Sequence, residues 1–249
     1  MDTTITAIIV FGSLALAIGL GIVLRRALPA NHLSADTKDT VKLATGLVAT
    51  MAALLLGLLV SSAKGTYDTA RGQVITMRSK IAFTDRVLEA YGPEAQDVRQ
   101  KLDVVSEEWT HQLWPQPGAK VAQARPDIGA ADAAYAALHH LEPKDDKQRA
   151  LKAEALAVVA QVAELRTLLR AQALPSISMP LLVVVVGWLA VIFLSFSLLA
   201  PPNHTATVAM LVAALSVSAA IFLMMELDRP FDGMVRIPPD PLNHVQGEK

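Results

Sequence analysis

The stretch LATGLVATMAALLLGLLVSSAKGTYDTARG, residues 43–72, decides the fold. Residues 43–63 hold no Asp, Glu, Lys, Arg or His, and about 20 apolar residues in a helix cross a hydrocarbon core of roughly 30 Å. From Lys64 the composition turns charged, yet apolar residues keep recurring at three- and four-residue steps: Tyr67, Ala70, Val74, Met77, Ile81, Thr84, Leu88 and Tyr91. That period marks a helix with one buried seam. Nothing between Ser62 and Tyr67 stops the chain, because Gly65 and Gly72 weaken a helix without breaking it. One rod is therefore expected to leave the membrane and enter a water-exposed bundle.

Three more stretches are long and apolar enough to span: residues 3–24, 177–200 and 205–225. The first lacks the basic start of a secretory signal and is followed by Arg25 and Arg26, so it reads as a retained span. The whole chain agrees. Of 249 residues 53% are hydrophobic, more than an ordinary soluble domain carries, which makes this an integral membrane protein in contact with the lipid bilayer. A net charge of −1 removes the dense basic surface that nucleic acid requires. The absence of Cys excludes disulfides, thiolate metal sites and Cys nucleophiles together.

Residues 64–174 differ in composition from the spans. After the seam of residues 67–91 come Val98, Leu102, Val105 and Trp109, then Leu151, Ala155, Val158, Val162, Leu165 and Leu169, again at helical spacing. GPE at 92–94, the segment 114–129 and EPKDD at 142–146 interrupt the pattern. The expected fold is all-α: four transmembrane helices with a soluble antiparallel bundle inserted between the second and third. Its parts are residues 1–63 (first two spans), 64–174 (bundle), 175–226 (last two spans) and 227–249 (a short tail).

No Walker A loop, HExxH or GxSxG motif is present, and His139 and His140 are adjacent, so they diverge by about 100° on a helix and cannot share a metal. In SEEWTHQLW, Trp109 falls on the helical stripe, which favours core packing with exposed acids. No catalytic residues, cofactor or metal are expected; the protein is read as a non-enzyme. Ionisable side chains are missing from the spans until Glu226, which argues against a proton relay. Small residues form rows instead: Ser13, Ala17 and Gly21; Gly46, Thr50, Ala53, Gly57 and Ser61; Ala209, Ala213, Ser216 and Ala220. Such rows let helices approach closely. The second row, with its hydroxyls, has an alternative reading as the wall of a pore.

After the fourth span comes ELDRPFDG, residues 226–233. Pro230 and Gly233 end helical geometry, which sets Glu226, Asp228, Arg229 and Asp232 at the membrane surface, with Phe231 inserted beside the bundle base. A partly exposed pair between the acids and Arg229, Arg166 or Arg170 would act as a structural clasp; the alternative is an ion vestibule formed by assembled copies.

Taken in order, LLLGLLVSSAKGTYD, EEW, LRTLLRAQALP and LDRPFDG resemble the bacterial membrane proteins with a bestrophin-like domain, over nearly the whole chain. Arg166 and Arg170 resemble that family's arginine pair. Bestrophins proper are oligomeric anion channels with four membrane-crossing helices and cytosolic helical bulk. The resemblance therefore implies a homo-oligomeric channel, with inorganic anions as partners. A non-conducting scaffold or signal transducer acting through its bundle is the alternative. This chain is shorter than bestrophins, has 23 residues after the fourth span, and lacks a long acidic cluster beside its Pro-Phe pair. Basic residues near the membrane (Lys64, Arg71, Arg78, Arg166, Arg170, Arg229, Arg236) outnumber those of the loop at 25–42, so the bundle and both termini are expected on the cytoplasmic side of the plasma membrane.

Overall fold

A computed structural model describes residues 3–29, 34–114, 128–172, 179–201, 203–231 and 233–238. Among them are seven α-helices and no strand: α1 (Thr3–Ala27), α2 (Ala35–Tyr91), α3 (Gln96–Leu113), α4 (Ile128–His140), α5 (Asp146–Gln172), α6 (Met179–Leu199) and α7 (His204–Leu227), with one 3₁₀ turn at Pro93–Ala95. Four of them, α1, α2, α6 and α7, are long and apolar enough to cross a membrane.

Local chemistry sets the ends. The Ser34 hydroxyl accepts the Thr37 amide at 3.3 Å and starts α2. Asp145 accepts the Gln148 amide at 2.6 Å before α5, and Asn203 accepts the Ala206 amide at 2.7 Å before α7. Arg25 and Arg26 lie in the last turn of α1, where cations meet the negative end of the helix dipole. The end of α2 falls at Gly92, whose φ of 121° belongs to the left-handed region that favours glycine, followed by Pro93. Between these signals α2 runs unbroken for 57 residues through Gly65 and Gly72.

Two compact units make up the chain. Met1–Tyr67, Pro175–Arg229 and Gly233–Val235 form one; Asp68–Leu174, Pro230–Asp232 and Arg236–Lys249 form the other. In the membrane unit α1 packs against α6 and α7. Val10, Leu14 and Ile18 of α1 meet Val185 and Leu189 of α6, Ile221 and Met224 of α7, and Leu59 and Ala63 of α2 in one core. Contact between α1 and α6 is close enough to require a glycine: a Cβ on Gly21 would lie 1.8 Å from Ser197 Oγ and 2.7 Å from the Leu194 carbonyl oxygen. The row Ser13, Ala17, Gly21 thus includes the residue at which two backbones approach.

The bundle unit has its own core. Val87, Leu88 and Tyr91 of α2 pack with Val98 of α3, Leu138 of α4 and Ala155 of α5. The end of α4 is capped from α5, with Lys152 Nζ donating to the His139 oxygen at 2.6 Å and, just past the helix, to the Leu141 oxygen at 2.8 Å. His139 itself packs edge-on against Tyr135 at 4.6 Å between ring centroids. Trp109 is buried, as its place on the stripe requires.

Candidate functional site

Two places hold the residues singled out by the sequence: one face of α2 and the segment after α7. On α2, Gly46, Thr50, Ala53, Gly57 and Ser61 are all exposed in the single chain. A Cβ added at Gly46 or Gly57 would meet nothing within 4 Å. At 100° per residue the five positions fall within an arc of about 80°. Thr45, Ala52, Leu59 and Ala63, which are buried, lie on another face, centred about 135° round the helix. Leu43, Leu47, Leu54 and Leu58, all exposed, adjoin the small-residue row on the side of Ser61. The small residues and the large aliphatic ones therefore form adjoining stripes that overlap at Ser61 and Leu43. Thr50 donates its hydroxyl proton to the Gly46 carbonyl at 2.9 Å, so its oxygen turns lone pairs outward. Only 17% of the most apolar stretch of α2 is buried, against 39% for α6, so α2 is the span with the most surface left to cover.

The row on α7 is exposed as well: Ala209, Ala213, Ser216 and Ala220 all face outward. Its packing face is instead Ala214, Ser218, Ile221 and Met225, and Ser218 donates to the Ala214 carbonyl at 2.8 Å.

Glu226 and Asp228 are buried, at 1% and 3% exposure. Within the membrane unit the Glu226 carboxylate is held by three donors. The Thr3 hydroxyl donates to Oε1, and the Met234 and Val235 amides approach Oε2 at 2.5 and 3.4 Å. A buried carboxylate is tolerated when donors replace its hydration in this way. Gly233 makes the loop possible on two counts. Its φ is 90°, and a Cβ there would lie 2.3 Å from Glu226 Oε2. The turn leading into the loop is backbone-made: the Asp228 amide donates to the Met224 carbonyl and the Arg229 amide to the Glu226 carbonyl, both at 3.1 Å. Asp232 lies outside the described residues.

Pro230 and Phe231 group with the bundle unit and are buried. The Phe231 ring meets Trp114 edge-on at 5.6 Å. Trp114 Nε1–H donates to the Ile237 carbonyl at 2.7 Å, and the Ile237 amide donates to the Pro230 carbonyl at 2.8 Å. This anchor was not foreseen: Trp114 and Ile237 are 123 positions apart and no local pattern pairs them. Nor was Thr3, 223 positions from Glu226. The only hint was a lone carboxylate in the last turn of an otherwise uncharged span.

Arg166 and Arg170 belong to the bundle unit and Asp228 to the membrane unit. Arg166 stacks its guanidinium over the Trp109 ring at 4.6 Å. Burial, then the like charge of Arg170, pushes Arg166 down to about 10, with Glu108 pulling the other way.

The family model for the Bestrophin-like domain matches residues 11–242. The chain belongs to the bestrophin-like family. Two crystal structures of a bacterial bestrophin homologue from Klebsiella pneumoniae, each carrying a single substitution, share its fold. They superpose with TM-scores of 0.70 and 0.69 at 16% identity, covering 96% of both chains in each case. Among curated proteins no relative matches this bestrophin-like chain. Its described part is all-helical with four candidate membrane spans, as the sequence led one to expect.

Proposed function

We propose that this bestrophin-like protein is a homo-oligomeric ion channel of the plasma membrane that conducts anions. Copies of α2 ring the path and turn Gly46, Thr50, Ala53, Gly57 and Ser61 toward it. The observation that carries this reading is the row of small and hydroxyl residues left exposed on α2, away from its buried face. Four thin spans without charges cannot enclose a water-filled path alone, and exposed backbone carbonyls and hydroxyl oxygens at small residues suit a pore wall. Family membership supports the same reading.

In functional terms residues 1–63 and 175–226 form the conducting part, 64–174 the cytoplasmic bundle and 227–249 the tail, with both termini cytoplasmic. The excess of Lys and Arg on the bundle side supports this orientation. Glu226, Asp228, Arg229, Pro230, Phe231, Asp232 and Gly233, with the candidate charge partners Arg166 and Arg170, serve as a structural clasp at the membrane surface. Signal transfer without conduction is a second reading, favoured by the unbroken 57 residues of α2.

Purified protein in liposomes tests the channel. Anion flux that falls with Thr50→Val and with Gly57→Leu, while the oligomer persists on size exclusion, is the expected result. No flux from assembled wild-type protein across a range of pH, calcium and voltage would overturn it and leave the signalling reading. Orientation is testable because the chain has no Cys. Ser34→Cys should react with an impermeant thiol reagent on intact cells and Gln100→Cys should not.

A further inference from the structure

The small-residue face of α2 does not end with the span. At 100° per residue, the buried positions Ala70, Val74, Met77 and Thr84 keep the bearing of Thr45, Ala52, Leu59 and Ala63, each set centred about 135–145° from the small-residue row. One face of this 57-residue helix is thus buried in both of its halves, and the row beside it continues past residue 63 on the same bearing.

Charges occupy that continuation, and they are nearly all of one sign. Lys64, Arg71, Arg78 and Arg86 fall within about 60° of the centre of the row. Lys64, Arg71 and Arg86 are exposed and Arg78 is half-buried. From Lys64 to Arg86 the same arc holds a single acid, Asp68. Asp85 lies to one side and is held by Arg99 through two bonds, Nε to Oδ1 at 2.7 Å and Nη2 to Oδ2 at 3.0 Å. Arg71 and Arg86 take part in none of the ion pairs found among the described residues.

The spacing ties these charges to the row. Thr50, Gly57, Lys64, Arg71 and Arg78 follow one another at seven-residue steps. Such a row drifts only about 20° per step on a straight helix, and it keeps to one seam where helices wind left-handed about each other. The bias that keeps bases on the cytoplasmic side selects no helix face, and it counts residues within about 15–20 positions of a span. Arg86 stands about 35 Å beyond Ala63 at 1.5 Å per residue, past that reach.

We propose that Lys64, Arg71, Arg78 and Arg86 are the anion-selecting residues of this protein, forming stacked rings of positive charge along the cytoplasmic approach to the path between copies. This rests on the reading of α2 as the pore wall. The rings at Lys64, Arg71 and Arg78 are about 10 Å apart along the helix, close to the screening length of roughly 8 Å at physiological ionic strength, so an anion leaving one ring already feels the next. Like charges around a narrow aqueous path concentrate anions and repel cations. Residues 43–63 hold no ionisable side chain, so the sign of the permeant ion is set beyond the span.

Reversal potentials of the full-length protein in planar bilayers under a potassium chloride gradient test the assignment. The wild type should prefer chloride, and Arg71→Glu should lower the chloride-to-potassium permeability ratio about fivefold or more. Lys147→Glu, the same charge change at an exposed base of α5, should leave the ratio where it was. Because the chain has no Cys, Arg71→Cys separates charge from folding. On one assembled preparation of that variant, an ammonium-bearing methanethiosulfonate should restore the ratio and a sulfonate-bearing one should lower it further. A cation preference in the wild type, a ratio indifferent to the sign of the reagent, or an equal response to Lys147→Glu would overturn the assignment. If flux still falls with Thr50→Val in that case, α2 remains the pore wall and only its selecting residues are lost. No flux from the assembled wild type removes both readings.

Discussion

The two halves of α2 share one helix and obey different rules. In residues 68–91 the apolar seam is buried, from Ala70, Val74 and Met77 through Thr84 to Leu88 and Tyr91. In residues 43–63 the large aliphatic residues are the exposed ones, Leu43, Leu47, Leu54 and Leu58 among them, while alanines and one threonine join Leu59 on the buried side. Water around the bundle drives apolar side chains inward. A bilayer offers no such drive, so helices there meet through small residues and leave the large ones to lipid or to other copies. The same residue type thus has opposite meanings some thirty positions apart.

Truncation should expose this difference most strongly. Leu88 is fully buried in the bundle core, so Leu88→Ala should cost about 2–5 kcal/mol through lost burial and a cavity. Leu54, 71% exposed, should lose less than about 0.5 kcal/mol on the same change. Denaturant titration of the detergent-solubilised protein, read by circular dichroism, checks both. Equal losses would mean that Leu54 is covered by a neighbouring copy in the micelle and would move the aliphatic stripe from lipid to an interface.

The contrast also explains what was legible in the sequence. The bundle seam could be read because burial and polarity coincide along it, and its period matched the buried positions at Ala70, Val74, Met77, Leu88 and Tyr91. The spans could be counted, but which face of each packs inward was hidden, since every face is apolar. Small-residue rows were ambiguous for the same reason: the α1 row packs at Gly21 while the α2 and α7 rows face outward. Around the ELDRPFDG turn, the glycine and proline were readable as punctuation. The burial of Glu226 was not, because its partners are one hydroxyl from the far end of the chain and two backbone amides, which leave no trace in residue type.

That turn shows how the membrane unit can still depend on a single buried carboxylate. Gly233→Ala would force a side chain into a left-handed backbone and against the Glu226 carboxylate, with an expected cost of about 1–3 kcal/mol. The loss should appear as a lower melting temperature, and Glu226→Ala in the same chain should relieve the clash but not the backbone strain. If Gly233→Ala melts like the wild type, the loop does not hold the carboxylate as described. A smaller effect belongs to the bundle surface. The Arg99–Asp85 pair is bidentate but about a third exposed, so Arg99→Met should cost no more than about 1 kcal/mol and less at high salt.

The smallest expected effect has the opposite sign. Burial first, and then the charge of Asp85, raise the Asp103 carboxyl above the usual aspartate range, while Arg99 offsets part of this. A carboxyl that holds its proton more tightly when folded makes the folded state bind more protons near its titration, so stability falls as pH rises through the raised value. At neutral pH the charged Asp103 is therefore a slight liability, and Asp103→Asn should leave the bundle equally or marginally more stable. Below about pH 4, where the unfolded aspartate is protonated too, the advantage should vanish. Paired melts of the two proteins at pH 7 and pH 4 test the sign. A variant less stable at pH 7 would show that the Arg99 charge outweighs desolvation and Asp85 at this position.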